Sequence, residues 1–382
     1  MINPGPDITT DPTDSELDGL PTESQLIAGW KDFHSPLVTV ICIAFNHERF
    51  IDQAMRGFLI QHTSFPFEII VHDDASTDRT TERIRFWQQQ YPQLIHMVIQ
   101  TENQYSQGKR PDYGNFTWSR GKYIAMCEGD DYWTDPKKLQ KQIDFLEQNP
   151  DFMFAFHNAM KVDAECRPQG LLLAEKHCAN RPNERVIAGD SMPSASVIFR
   201  RSLMERLPAS YRQVLNGDTF LFSIGGQFGR AGYIDVLPSG YRVHIGGIWS
   251  SRQHVFKIQS NLNTFKCLLP ETAGEYRYII GRRICQNYNQ IFWYELCAGK
   301  IVQAAKTLVD YATYSAGNLG WPTFVYQARF SCSCILQILR GMIRPEKSAA
   351  TMAEGPDKWL AVVDVSGSNG PINDSHASRV SS

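Results

Sequence analysis

The chain lacks any apolar run near the roughly 20 residues that a membrane-spanning helix requires, which argues against a helical integral membrane protein. Its N-terminus also lacks a basic stretch followed by an apolar core, so no export leader is expected. Charge of one sign is missing too. The 38 Lys and Arg residues face 40 Asp and Glu, leaving a formal charge of −2, and this balance gives no general electrostatic footprint for nucleic acid. Nine cysteines are scattered without paired metal-ligand spacing, in a chain of 382 residues that is too large to need a disulfide framework. A reducing, cytoplasmic setting is the expectation. No internal repeat is evident, and the first apolar run leads into Ala44-Phe45-Asn46-His47 rather than a glycine-rich phosphate turn, which disfavours a dinucleotide-dependent oxidoreductase.

What the chain does hold suits a sizeable core: 42% hydrophobic and 12% aromatic residues, over a length that fits one large or two medium domains. Residues 1–35 are rich in Pro, Asp, Thr, Ser and Gly, and are expected to form a mobile arm. Order begins at Leu37 to Phe45, a β-branched run suited to a strand buried on both faces. Phe50, Ile51, Ala54, Met55, Phe58 and Leu59 then recur at helical spacing. The pattern repeats: Phe67 to Val71 reads as a second strand, and Ile84, Trp87 and Tyr91 mark a second helix ending before Pro92. Ile95 to Gln100 reads as a third strand, and residues 101–120 as a polar loop. Strands alternating with helices predict a mainly parallel central sheet flanked by helices.

The organising stretch is Gly121 to Trp133, where an apolar strand ends in Glu128, Asp130 and Asp131. Three carboxylates within four positions repel one another unless a cation or positive partner shares the space. Hard divalent ions such as Mg²⁺ and Mn²⁺ take carboxylate oxygens and complete their shell with water and phosphate, which makes Glu128 and Asp130 candidate ligands. In an open α/β sheet, ligands collect at the carboxyl ends of the strands. The turns holding Asn46 and Glu48, Asp73 and Asp74, and the Glu128 cluster are therefore expected to converge on one crevice. Asp135-Pro136 reads as a helix start with Asp as the cap, and Leu139, Ile143 and Leu146 supply its buried stripe.

Six blocks in one order resemble the family 2 glycosyltransferases: Ala44-Phe45-Asn46, Asp73 to Asp78, Arg120 to Tyr123 with Glu128-Gly129-Asp130-Asp131, Ser194 to Arg200, Gly217-Asp218 and Tyr241 to His244. The resemblance covers about residues 36–250. It implies a GT-A fold, with residues 36–135 as the nucleotide-binding half and 136–250 as the acceptor-binding half. The implied activity is transfer of a sugar from a nucleoside diphosphate, a UDP-sugar above all, to a glycan or lipid-linked acceptor, with inversion at the anomeric carbon. Asp74 would accept from an imide N–H of the base, and Ala44, Phe45, Asn46, Glu48 and Asp73 would line the nucleoside. Asp130 would hold a Mn²⁺ or Mg²⁺ ion at the diphosphate. Glu128 stands where the family has the first Asp of its Asp-any-Asp motif, and with Gly129 would face the ribose or a metal-bound water. Asp218 matches the family's general base, although it also suits a helix cap before Phe220. In the glycine-rich stretch 225–250, Arg242 could reach the sugar diphosphate and His244 the metal or phosphate. A non-catalytic nucleotide-sugar-binding or scaffold protein of the same fold is the alternative.

Beyond residue 250, helical apolar spacing predicts a helical appendage over 251–344, followed by a disordered tail from 345 to 382. Within it, Phe324, Val325, Cys332, Ile335, Ile338, Leu339, Met342 and Ile343 share one helical face, and Arg329, Arg340 and Arg344 share the other. That stripe fits either a helix docked on the catalytic domain or one resting on a membrane surface near a lipid-linked acceptor.

Overall fold

The computed structural model describes residues 17–318, apart from 248, 250 and 251. The basic amphipathic stretch 324–344 and the tail 345–382 lie outside the described residues. In chain order the elements are α1 (Glu23–Ile27), β1 (Val38–Ala44), α2 (Ile51–Leu59), β2 (Phe67–Asp73), α3 (Thr80–Gln90), β3 (Ile95–Ile99), α4 (Pro111–Trp118), β4 (Tyr123–Met126), α5 (Lys138–Gln148) and β5 (Phe152–Phe156). There follow β6 (Ala159–Val162), β7 (Pro168–Leu171), α6 (Asn183–Ile187), β8 (Ile198–Arg200), α7 (Gly217–Gly226), β9 (Arg230–Tyr233), β10 (Ser239–Arg242), α8 (His254–Glu271), α9 (Arg277–Cys297) and α10 (Ile301–Asn318).

The β-branched runs of β1 and β2 fill the middle of a seven-stranded sheet ordered β3-β2-β1-β4-β8-β5-β9. β1 runs parallel to β2 and β4, and β2 to β3; β8 alone is antiparallel to both of its neighbours, β4 and β5. A smaller sheet, β10-β6-β7, stands beside it. Because β1, β2 and β4 are parallel neighbours, the turns that follow them emerge on one edge. Apolar stripes of α2, α3 and α5 cover the sheet with Phe58, Ile84, Trp87, Leu139 and Ile143, all buried. One charged contact crosses that layer: Asp52 of α2 accepts from Arg83 and, at 2.8 Å, from the Trp87 indole N–H. Burial is tolerated because both carboxylate oxygens are met.

Three sequence expectations change. Residues 17–30 are folded: Thr22 and Gln25 form a reciprocal capping box at α1, and Leu26 and Trp30 are buried, Trp30 edge-on to Phe67 at 5.2 Å. Of the arm expected over 1–35, residues 17–30 are therefore ordered, since a few large side chains suffice to pin a polar segment. The polar stretch 101–120 contains α4, which starts at Pro111 and is anchored by Phe116 against Phe199 and Tyr211. The helix predicted at Asp135-Pro136 begins at Lys138; Asp135 instead accepts from the backbone N–H groups of Lys137 and Leu237, fixing the entry loop.

The chain divides into two compact units between Asn287 and Tyr288, inside α9. In the first, α8 packs its Ile258, Leu262, Phe265 and Leu269 inward. In the second, the Tyr288 ring packs at a tilt against Tyr311, with centroids 5.4 Å apart, and Thr307 donates to Glu295 at 2.7 Å. No helix among the described residues is long and apolar enough to cross a membrane.

Candidate active site

The acid turn is an extension of the sheet. Past the end of β4, the N–H of Cys127 bonds to the carbonyl of Ile41 and that of Gly129 to the carbonyl of Ile43, which carries Glu128 to Asp131 alongside the end of β1. Gly129 makes the approach possible: a Cβ there would lie 2.9 Å from His47 Nδ1 and 3.1 Å from Ala44 Cβ. Asp130 then meets two histidines. His244 Nε2 lies 3.0 Å from Asp130 Oδ2, and His47 Nε2 lies 3.8 Å from the same oxygen. One donor atom from each of the three residues falls within 4.8 Å of the others, a spacing at which they could share a metal ion.

Electrostatics separate the three acids. Burial raises Asp130, but the positive fields of His47 and His244 and the hydrogen bond with His244 outweigh it and hold the carboxyl at about 2. Burial and the Asp130 charge push Glu128 up to about 7, against a 3.1 Å hydrogen bond from Ser194 Oγ. Asp131 is raised well above the carboxylate range by burial and by both neighbours, and accepts the Arg242 backbone N–H at 2.8 Å. Three acids so arranged cannot all ionise without a cation.

Asp218 approaches from the other half of the domain. It lies in the first turn of α7, is exposed, and accepts the Thr219 N–H at 2.6 Å. Its charge contributes to raising Glu128 and Tyr241, so it lies within electrostatic reach of the acid turn. The cap of α7 is Asn216, not Asp218, and Asn216 is itself held from α8 by Ser260 Oγ at 2.8 Å. Gly217 leaves room for the Arg110 guanidinium, which donates to the Leu215 carbonyl at 3.0 Å and lies over the Tyr211 ring. Exposure with a fixed backbone is what a base acting on an incoming hydroxyl requires.

The turns after β1 and β2 are laced together. Asn46, at φ 56°, receives the Thr77 N–H on its side-chain oxygen at 2.8 Å, while its own N–H donates to Ser76 Oγ at 2.9 Å. Glu48 receives the Arg79 N–H at 2.9 Å, and Asp78 receives that of Glu48 at 3.2 Å. Asp74 is buried and accepts from the backbone N–H groups of Gln104 and Tyr105 at 2.7 and 3.0 Å.

Two residues expected at the donor do other work. Asp73 is fully buried; one oxygen accepts from the N–H and hydroxyl of Ser76 and the other from the Thr81 hydroxyl, so it holds the turn together. Arg242 is buried between the rings of Phe50 and Tyr132 and donates to the carbonyls of Asp130, Asp163 and Ala164 and to Gln53 Oε1. A guanidinium enclosed in this way positions the Asp130 backbone. His47 was missed as a partner of Asp130. The available signal was its place directly after β1, the strand beside the acid strand.

Residues 39–207 match the model of glycosyl transferase family 2. Over that stretch the chain is similar to the family 2 glycosyltransferases. An uncharacterized protein of Mycobacterium tuberculosis is 32% identical over 221 residues, 56% of this chain and 61% of that relative, so the match spans less than two thirds of the relative's length. Among solved structures, Staphylococcus aureus TarS 1–349 in complex with UDP-GlcNAc superposes with a TM-score of 0.55 at 16% identity, over 72% of this chain and 80% of that one. The mannosyltransferase PcManGT of Pyrobaculum calidifontis, in complex with GDP-Man and Mn²⁺, gives 0.52 at 18% identity over 87% of each chain. These likenesses establish the GT-A fold. The glycosyltransferase family match ends at 207, so Asp218, Arg242 and His244 rest on the geometry alone.

Proposed function

We propose that this glycosyltransferase moves a sugar from a nucleoside diphosphate, preferentially a UDP-sugar, to a hydroxyl of a glycan or lipid-linked acceptor, inverting the anomeric carbon. The observation that carries the reading is the pairing of a divalent-ion donor set at Asp130 with an exposed carboxylate, Asp218, close enough for its charge to raise the neighbouring Glu128. The donor atoms fit such an ion: one ionised carboxylate oxygen and imidazole nitrogens within reach of one another, beside acids whose repulsion a cation would relieve. Asp130 and His244 would hold it. When bound, a divalent ion neutralises charge that grows on the departing diphosphate. Asp218 takes the proton from the acceptor hydroxyl as its oxygen attacks the sugar carbon from the face opposite the leaving group, and a single displacement inverts the configuration. Glu128, with Gly129, borders the ribose side. Asp74 can still accept from a base, because a carboxylate offers about four acceptor positions and the turn uses two. Ala44, Phe45, Asn46 and Glu48 supply the wall at the end of β1.

The bound donors of the two solved structures, UDP-GlcNAc in one and GDP-Man in the other, support a nucleotide-sugar as the partner and leave the base and sugar to experiment. Release of free nucleoside diphosphate across a panel of UDP- and GDP-sugars, with and without Mn²⁺, tests the reading. Mn²⁺-dependent release from at least one donor is expected. Tight binding of a donor without release under any condition would instead identify a binding protein.

A further inference from the structure

His47 differs from His157, a buried imidazole next to a strand end. The ring nitrogens of His157 are both engaged by the fold, with the Asn158 carbonyl at 2.7 Å and Ser239 Oγ at 3.4 Å. His47 has no such use. Its Nδ1 is buried without a hydrogen-bond partner, and its Nε2 stands 3.8 Å from Asp130 Oδ2, beyond hydrogen-bonding distance. The backbone around it is fixed nevertheless. Its N–H donates to Thr80 Oγ1 at 2.7 Å, its carbonyl receives the N–H groups of Phe50 and Ile51 to start α2, and the missing side chain at Gly129 lets the acid turn lie against the ring. Phe50 packs edge-on against His244 at 4.7 Å, so a single short segment orients both imidazoles toward Asp130.

We propose that His47 is a third protein ligand, joining Asp130 and His244 on one divalent cation, and that this set of two imidazoles and one carboxylate selects Mn²⁺ and later first-row ions over Mg²⁺. The inference rests on the assignment of Asp130 to a metal and extends it. Nitrogen and oxygen ligands sit about 2.0–2.2 Å from such ions, so two on the same ion lie about 3.0 Å apart at a right angle and about 4.2 Å apart when opposed. The 3.0 Å and 3.8 Å separations of His244 and His47 from Asp130 Oδ2 fall between those limits. Imidazole favours borderline transition ions, whereas Mg²⁺ favours an oxygen shell that retains water. The three side chains are 10% to 18% exposed, which leaves one side open to water or a donor phosphate. A site built only from Glu128, Asp130 and Asp131 would carry no such preference.

Calorimetric titration of the full chain with Mn²⁺ alone and Mg²⁺ alone, combined with pulsed EPR of the Mn²⁺ form, tests this. Mn²⁺ should bind at least about tenfold more tightly than Mg²⁺, and the EPR should resolve two imidazole nitrogens on the ion. Replacing an outer partner of a metal ligand costs roughly 10–100-fold in affinity, and His47→Gln should cost Mn²⁺ at least that. Counting nitrogens on the wild-type protein needs no variant, so a His47→Gln chain that fails to fold does not shield the inference. One imidazole nitrogen, or unchanged Mn²⁺ affinity in a folded His47→Gln protein while Asp130→Asn loses it, overturns the role of His47 and leaves the Asp130 assignment standing. Absence of Mn²⁺ binding to the wild-type protein overturns both.

Discussion

Two acid-rich turns, at the ends of the strands that flank β1, look alike in sequence and differ in physical state. After β2, Asp73 and Asp74 are almost wholly buried, yet their oxygens are met by the N–H and hydroxyl groups of Ser76, Thr81, Gln104 and Tyr105. After β4, Glu128, Asp130 and Asp131 crowd one another with few donors, and burial and mutual repulsion raise two of them. The first turn is closed by its own chain. The second retains unmet charge, and its remaining partners are imidazoles. Counting carboxylates would rank the turns together, whereas hydrogen-bond satisfaction divides a structural turn from one poised for a cation.

The comparison breaks first at the crevice. Asp218→Asn keeps the acceptor for Thr219 N–H but loses basicity, so transfer should fall by roughly 10²–10⁴-fold in a nucleoside diphosphate release assay while the melting temperature moves little. Turnover near the wild-type rate would assign the base elsewhere. In the closed turn the pattern should invert. Asp73→Ala leaves the Ser76 and Thr81 donors without their acceptor and should lower unfolding free energy by about 1–3 kcal/mol, measured by urea denaturation. A loss of activity with no loss of stability would mean that Asp73 touches the donor after all.

Much of this architecture was legible. β1, β2 and β4 announced themselves as apolar runs ending in polar turns, and the acid cluster at the end of β4 lies where parallel-sheet topology predicts. Other features could not be read, because they depend on what long side chains meet in space. Arg242 read as a free cation, yet its donors go to backbone carbonyls that only the folded chain assembles. α4 lies in a stretch that is polar overall, and Phe116 is the buried residue among its described side chains, which leaves almost no periodic signal. His47 gains meaning only from Gly129 and Asp130, some eighty residues away.

Lys138 asks whether unmet polarity alone marks a site. It is buried in the core over the Trp133 ring at 3.9 Å, its Nζ has no hydrogen-bond partner among the described residues, and burial lowers its pKa to about 7. Folding therefore releases its proton between about pH 7 and the unfolded value near 10.5, so this residue's contribution grows as pH rises through that window. Lys138→Met should stabilise the fold by on the order of 1–3 kcal/mol at pH 7, and the advantage over wild type should narrow toward pH 10. A constant difference across that range would show that the amine finds a partner. The smallest effect belongs to Ala75, which holds φ 61° in the closed turn. Ala75→Gly should relieve left-handed strain and raise stability by about 0.5–1 kcal/mol, net of the added freedom of the unfolded chain.

Calorimetric titration of UDP with and without Mn²⁺, on wild type and on Asp130→Asn, tests the central claim most directly. The substitution preserves size and removes the charge that the acid turn offers an ion. Mn²⁺ should strengthen UDP binding to the wild-type protein and leave that to the Asp130→Asn variant unchanged. Equal enhancement by Mn²⁺ in both proteins would contradict the account.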